Sequence, residues 1–413
     1  MASSRRKIAI VGAGQAGLQL GCGLLDKGYE VVLVQDRTAD EIAAGGVMSS
    51  QCLFGAALQD ERELGLDFWG ETAPALGAID FTVGAQDGSG AKAIAWSGPL
   101  DQPARSVDQR LKFPAWMKEF ERRGGKLVIR DVCAVDMDCR ARDFDLVIVA
   151  AGRSAISKLF ERDPARSPFA KPQRALALAY VRGMTPRPGG PAISFNVIPG
   201  VGEYVAFPAL TLGGPCEIMM FEGVIGGPLD CWKDVRTPAE HLATMKALLE
   251  AHAPWEAARC RGVELTDDKA TLSGAFAPIV RKPIGRLPTG KAVLGMADAV
   301  CLNDPITRQG ANDASKAAKI YLGAIVAHGE RTFDEAFMQA TFDAYWAEAQ
   351  YATSWTIAML RPPAPQVIEL LAAAQTDPDL ARRLANGFDD PRDLFPWFVA
   401  PDEAEKHAKQ LAA

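Results

Sequence analysis

The chain has 413 residues, enough for two or three domains, and its 48% apolar and 23% charged residues exclude a disordered or fibrous protein. A net charge of −6 without a concentrated basic face argues against nucleic acid as a partner. The eight cysteines (Cys22, Cys52, Cys133, Cys139, Cys216, Cys231, Cys260, Cys301) form no CxxC pair and only four histidines accompany them, so no metal-ligand spacing and no histidine-based triad is present, and small buried thiols are expected.

The first organised stretch is KIAIVGAGQAG, residues 7–17. An apolar run predicts a buried strand, and Gly12, Gly14 and Gly17 stand at the spacing that turns a strand sharply into a helix, with Ala16 in its first turn. Gly12 permits the turn, Gly14 lets backbone approach a pyrophosphate, and Gly17 lets the helix pack close to the sheet, with unpaired N–H groups facing the phosphates. The basic cluster Arg5, Arg6, Lys7 before an uncharged run mimics a leader or a membrane span, but five glycines and two glutamines in residues 8–25 argue for strand, turn and helix. A cytoplasmic protein with no membrane partner is the expectation.

A helix over residues 18–27 capped by Gly28, then a strand over 30–34, completes a βαβ unit. Its end, where an acidic residue usually takes the ribose hydroxyls, reads Gln35, Asp36, Arg37, so the ribose contact is Gln35 or Asp36, or else this is a solvated charged turn. Residues 38–46 read as a loop and 48–66 as a helix capped by Ser49 or Ser50. Between residues 68 and 104, AIDFTV and AKAIAW split by QDGSG predict a hairpin. A helix over 107–123, a strand over 126–130 and an acidic segment lead to DLVIVAAG, residues 145–152, where a buried strand runs into Ala151 and Gly152 as a second nucleotide signal. Strand-like runs between 174 and 221 predict an inserted antiparallel sheet, followed by a helix over 237–257.

The third signal lies in residues 292–312: a strand, Gly295 and Asp298, a loop with Pro305, then Gly310 and a helix from about Ala311. The last eighty residues read as helices interrupted at Pro362–Pro363 and Pro391. Three signals for one long ligand fit an extended FAD: pyrophosphate at the first helix, ribityl chain at a carboxylate suited to hydroxyl donors, Asp298, and flavin ring at the helix after Gly310, whose positive end is typically worth about 0.3 to 2 kcal/mol to an anion.

This arrangement resembles the FAD-binding monooxygenases of the hydroxybenzoate-hydroxylase fold, and RSVDQRL (105–111), SPFAKPQRAL (167–176), SFNVIPGVGEYVAFPALT (194–211) and DPITRQGAN (304–312) resemble the styrene monooxygenase epoxidase components over nearly the whole chain. The resemblance implies an α/β fold: a Rossmann-like FAD-binding domain (1–67, 105–172, 287–330), an inserted antiparallel-sheet substrate domain (68–104, 173–286) and a helical C-terminal region (331–413). It also implies that reduced FAD and O2 supply the oxygen atom, with the backbone of Gly310, Ala311 and Asn312 at the flavin edge and Thr307 and Gln309 nearby; a plain helix cap is the other account of Asn312. Arg110 resembles a contact to the FAD phosphates or ribose, against an ordinary ion pair with Asp108. The wider fold family carries an Asp where this chain has Ala151, and no second glycine-rich βαβ unit is present, so a separate NAD(P)H-dependent flavin reductase is the expected partner.

In VMSSQCLF (47–54) Ser49, Gln51 and Leu53 replace the Asn, Val and His of styrene epoxidases, and Leu76, Ile79 and Ala104 replace their Tyr, His and Ser. That combination resembles the indole monooxygenase subgroup. Indole carries an N–H whose unpaired burial costs roughly 1 to 3 kcal/mol, so Gln51 or Ser49 would accept it between apolar walls, whereas a capping Ser49 and a solvent-facing Gln51 are the local alternative. The expected activity is epoxidation of indole at its 2,3 bond, leading to indoxyl and indigo, with styrenes and aryl sulfides as side substrates. The alternatives are a styrene monooxygenase proper, a self-contained NADPH-dependent aromatic hydroxylase and a non-catalytic scaffold.

Overall fold

The computed structural model describes residues 6–87, 89–131, 141–152 and 155–399. Arg5, Gly88 of the hairpin turn, Cys133 and Cys139, most of the acidic segment and the end of the chain after residue 399 lie outside the described residues. In chain order the strands are β1 (Lys7–Val11), β2 (Glu30–Gln35), β3 (Leu76–Gly84), β4 (Lys92–Ala104), β5 (Lys126–Ile129), β6 (Leu146–Val149), β7 (Arg174–Arg182), β8 (Ala192–Ile198), β9 (Gly202–Thr211), β10 (Gly214–Val224), β11 (Glu264–Leu265), β12 (Thr271–Gly274), β13 (Ile279–Val280), β14 (Ile284–Arg286), β15 (Ala292–Gly295) and β16 (Cys301–Leu302).

Two sheets organise them. The first has the order β14-β15-β6-β1-β2-β5, parallel except for β14, and its strands are continuous apolar runs because helices cover both faces. Helix α1 (Gln15–Asp26) lies on it, followed along the chain by α2 (Ala39–Ala43), α3 (Gly55–Glu63) and α4 (Gln109–Arg122). The second sheet joins β3 and β4 to β7 through β12. Its strands alternate between two cores: along β10, Ile218 and Met220 face one cluster while Met219 and Phe221 face another. The second cluster is closed by α5 (Pro238–His252) and α6 (Pro254–Cys260). Farther on come α7 (Gly310–His328), α8 (Glu335–Met359), α9 (Pro365–Ala373), α10 (Pro378–Asn386) and α11 (Pro391–Val399).

Several expectations need correction. Residues 38–46 hold a short helix, because Thr38 and Glu41 form a reciprocal capping box. The helix expected over 48–66 begins only at Gly55, with Phe54 rather than Ser49 or Ser50 at its N-cap. The preceding segment is held extended: Leu53 exchanges both backbone hydrogen bonds with Arg105, and Val47 N–H donates to Lys269 O. The inserted sheet is mixed, since β3 and β8 run parallel. They come from separate excursions out of the first sheet, so no tight turn forces them antiparallel. The helix over 237–257 is two helices, broken at Ala253 where Pro254 starts the second. Pro391 likewise opens a helix rather than only ending one.

The C-terminal helices are seated on the second sheet. A Cβ on Gly98 of β4 would lie 2.2 Å from Ala381 O in α10, so that crossing depends on the missing side chain. Gly98→Ala is expected to cost about 1–3 kcal/mol through overpacking. It should lower the melting temperature and speed proteolysis in the last four helices, as read by calorimetry and limited trypsinolysis.

Candidate functional site

Three strand exits meet at one edge of the first sheet. Each is tied to its neighbour near that strand's end: Gly12 N–H donates to Val34 O at 2.8 Å, Ala150 N–H to Val11 O at 2.8 Å, and Met296 N–H to Val149 O at 2.9 Å. The three glycine-bearing segments therefore lie side by side. An added Cβ on Gly12 (φ +113°) would come within 3.0 Å of Ala151 N, and one on Gly152 within 2.2 Å of the Asp298 Cβ. Asp298 is half-buried in a short 3-10 turn entered through Ala297 at φ 50°.

The glycines separate packing from ligand approach. A Cβ on Gly17 would sit 1.9 Å from Gly12 O, so fold alone requires that glycine. Gly14 and Gly310 would meet nothing within 4 Å, so packing requires neither, whereas backbone approach by a large ligand does. Ala16 is buried in the first turn of α1, and Gly14 is the half-exposed member of the turn. At the other end Gly310 and Ala311 are half-exposed between buried neighbours. As the start of α7, Gly310, Ala311 and Asn312 have no intrahelical acceptor for their N–H groups. These features fit an extended dinucleotide running from α1 to α7.

The ribose end is less open than the sequence suggests. Gln35 Oε1 accepts from Ala13 N–H at 3.1 Å and closes the glycine turn, while Asp36 and Arg37 pair at 3.8 Å on the surface and Arg37 also reaches Met48 Sδ. Arg110 is placed differently from the phosphate contact. Its buried guanidinium forks onto Asp108 at 2.8 and 3.0 Å, onto Asp267 at 3.0 Å and onto Thr211, so its donors are spent on the ion pair that was the alternative reading. Asn312 is neither a cap nor a free catalytic amide: its Nδ2 donates to Cys52 O and Arg308 O, and its Oδ1 accepts from Phe54 N–H. It clamps residues 52–54 onto the loop before α7. Pro305 and Thr307 form a 3-10 turn capped by Asp304, with Thr307 Oγ1 2.6 Å from Thr356 Oγ1. Gln309 is fully buried and donates to Thr307 O and Phe388 O.

The clamped segment carries the substrate candidates. Ser49 lends its carbonyl to the Tyr180 hydroxyl at 2.8 Å. Gln51 is 6% exposed, its Nε2 donates to Val107 O and to Tyr180 Oη, and its Oε1 has no donor. Because Val107 O can only accept, the amide nitrogen must face it, which leaves Oε1 as the orphan. Leu53 packs with Ala57, Leu58 and Ala311, on the α7 side. Leu76 and Ala104 are cross-strand partners, and with Ile79 they are fully buried in the same cluster as Cys52 and Phe54.

Sequence reasoning missed Tyr180, Ser106, which donates to Gln51 O, and a set of buried charges beside the loop. Their one signal was a polar group inside an otherwise apolar strand, as for Tyr180 in ALALAYV and Glu222 in MMFEGV. Burial pushes the Tyr180 phenol well above its usual range and the Cys52 thiol up to about 12, so both stay neutral. Burial also pushes the Asp313 carboxyl, in the first turn of α7, up to about 7. Among the described residues no group of acids, histidines and cysteines could hold a metal, and no helix is long and apolar enough to cross a membrane.

The chain is similar to several known proteins. Residues 152–259 match the family described as the styrene monooxygenase A putative substrate binding domain. Styrene monooxygenase StyA of Pseudomonas fluorescens is 29% identical over 417 residues, covering 99% of each chain, and StyA of a Pseudomonas species is 29% identical over 416. Among solved structures, the flavin-dependent brominase Bmp2 superposes with a TM-score of 0.66 at 14% identity over 99% of each chain. A flavoprotein/dehydrogenase from Cytophaga hutchinsonii superposes with a TM-score of 0.68 at 15% identity, over 97% of this chain and 98% of that one. These likenesses support a flavin-dependent monooxygenase, with FAD and O2 as its cofactors. Within that class the chain is similar over its full length to the styrene monooxygenases StyA, and residues 152–259 are similar to their putative substrate binding domain.

The two kinds of glycine are separable by mutation. Gly14→Ala, whose Cβ enters open space, should leave the melting temperature unchanged and weaken FAD binding by on the order of tenfold, about 1.4 kcal/mol. Gly17→Ala should instead cost about 1–3 kcal/mol of stability. Flavin fluorescence titration beside calorimetry checks both.

Proposed function

We propose that the chain is the epoxidase component of a two-component monooxygenase, which receives reduced FAD from a separate NAD(P)H-dependent flavin reductase and epoxidises indole at the 2,3 bond, the product leading to indoxyl and indigo. The observation that carries the choice of indole is the Gln51 side chain: fixed by Val107 O and Tyr180, it keeps one buried carbonyl oxygen without a donor. A buried acceptor left unpaired costs about 1–3 kcal/mol, and a substrate N–H would remove that cost. Ala151, where the fold family carries an Asp, supports delivery of reduced flavin by another protein.

When bound, the reduced flavin supplies the activation of O2 and the electrophilic oxygen atom. The chain's own residues position and shield. The turn of Gly12, Gly14, Ala16 and Gly17 would hold the pyrophosphate, Asp298 would accept from the ribityl hydroxyls, and Gly152, where a Cβ would strike Asp298, lets the Asp298 turn lie close to β6. The N–H groups of Gly310, Ala311 and Asn312 meet the pyrimidine edge, with Pro305 and Gln309 shaping the loop from below. Leu53 against Ala311, with Leu76, Ile79 and Ala104 behind, excludes water from the reacting double bond. No acid or base is asked of the side chains, because an electron-rich alkene needs none to take the oxygen.

Styrene, named in the relatives, is the second reading, supported by the 29% likeness over the full chain. It offers no N–H, so Gln51 decides between the two. With FAD, a flavin reductase and air, Gln51→Leu is expected to lower kcat/KM for indole by roughly tenfold to a hundredfold while changing styrene turnover little. An equal loss for both substrates would remove Gln51 from the contact, and wild-type turnover of neither would overturn the epoxidase reading. NADPH oxidation by the protein and FAD alone, without a reductase, would favour the self-contained hydroxylase.

A further inference from the structure

Five charged side chains meet in the core between the second sheet and the 304–312 loop. Arg174 of β7 forks onto Glu203 of β9 at 2.8 and 3.0 Å, and Arg308 of the loop meets Glu222 of β10 at 2.7 Å, while the Asp304 carboxyl faces Glu222. Glu222 and Asp304 are fully buried and Arg308 is 4% exposed. Three carboxyl groups against two guanidinium groups leave one uncompensated negative charge in the interior if all are ionised, a costly state. The hydrogen bonds point to the same excess. Asp304 Oδ1 accepts from Ile306 N–H, but Asp304 Oδ2, both Glu222 oxygens and the Arg308 Nε and Nη2 beside them lack aligned partners. Even with both Arg308 donors turned onto the two Glu222 oxygens, Asp304 Oδ2 is left without a donor. One proton between Asp304 and Glu222 is the donor still lacking.

Arg308 also occupies the left-handed region at φ 59°, unfavourable for a side chain of its size. Its Nη1 reaches Met220 Sδ at 2.9 Å, the sulfur that takes the Ser50 hydroxyl at 3.0 Å, and its carbonyl accepts from Asn312. One guanidinium thus ties the loop to β10 and to the segment carrying Gln51.

We propose that Arg308 and its buried counter-ion Glu222 are positioning residues for the flavin loop, and that Glu222 and Asp304 hold one proton between them. This rests on assigning the 304–312 loop to the flavin. Burial raises both carboxyl groups; Glu222 raises Asp304 further, while Arg308, Arg174 and a hydrogen bond from the Asp304 carboxyl lower Glu222. Glu203, beside them, is pushed up to about 7, chiefly by burial. The Cys52 thiol, also within the field of Arg308, stays neutral. Groups raised on folding stabilise the fold below the ordinary carboxylate range, and that contribution is lost as pH rises through the raised values. The loop is therefore expected to loosen on the alkaline side.

The test compares wild type, Asp304→Asn and Glu222→Gln from about pH 5.5 to 9. Two readouts are used: thermal unfolding without flavin, and binding of FAD, oxidised or dithionite-reduced, by fluorescence and absorbance. Wild type should lose thermal stability and flavin affinity as pH rises. Asp304→Asn supplies Glu222 with a permanent donor and keeps the Arg308 pair, so its two profiles should fall less steeply than wild type, the remaining slope coming from Glu203 and Asp313, while FAD still binds. Glu222→Gln leaves Arg308 facing a neutral amide, and should weaken FAD binding at neutral pH by on the order of tenfold in a protein still folded by circular dichroism. An Asp304→Asn unfolding profile as steep as wild type overturns the shared proton. A folded Glu222→Gln protein with wild-type FAD affinity overturns the positioning role. Failure of the wild type to bind FAD at any pH defeats the loop assignment instead, and the flavin-free profiles still decide the proton.

Discussion

The site depends on the register of three parallel strands. β1, β6 and β15 end level with one another because each exit N–H is bonded to a carbonyl near the end of its neighbour. A slip of one residue between any two would exchange the side chains packed on the two faces and carry GAGQAG, AAG and GMAD out of line. With the register kept, three segments separated by well over a hundred residues become one continuous edge, at the carboxyl ends of the strands where open α/β sheets bind their ligands. The contacts across that edge are backbone to backbone, which is why Gly12 and Gly152 tolerate no side chain.

The second sheet brings a different kind of constraint. It offers the first domain a wall of apolar side chains, and polar groups that enter that wall are tied to the 47–54 segment, to the 304–312 loop or, for Thr211, to Asp108 and Arg110. Tyr180, Gln51 and Ser106 form one knot, and Arg308, Glu222 and Asp304 another. Asn312 joins the two by holding Cys52, Phe54 and Arg308 at once. A third chain of buried polar contacts runs from Lys112 through Glu61, Gln15 and Gln19 to Ser315, linking the start of α1 to α7. Burial raises Glu61 and lowers Lys112, and only their mutual contact keeps such a pair in the interior. The carboxyl edge of the first sheet and the apolar wall of the second are thus joined by buried polar contacts.

What could be read in advance was what local geometry dictates. The apolar runs of β1, β2 and β6, the turn glycines and the start of α7 at Gly310 follow from side-chain period and backbone freedom. The extended stretch from Val47 to Leu53 did not, because its apolar and polar residues also suit a helix and only pairing with Arg105 and Lys269 decides the matter. Arg110 shows the same limit from the electrostatic side: a fork of donors suits a phosphate and a carboxylate alike, and Asp267, far along the chain, settled its partner.

The amino-acid sequence by itself determined the dinucleotide turn, the three glycine-bearing strand ends and the residues available to line a pocket, since these depend on covalent geometry and on neighbours a few positions away. Tertiary structure alone decided which polar atoms are left without partners. Gln51 Oε1 and the facing oxygens of Glu222 and Asp304 lack donors because of what the fold packs around them. A buried group's hydrogen bonds are completed by residues from anywhere in the chain, so the shortfall that makes such a group chemically available exists only once the chain has closed around it.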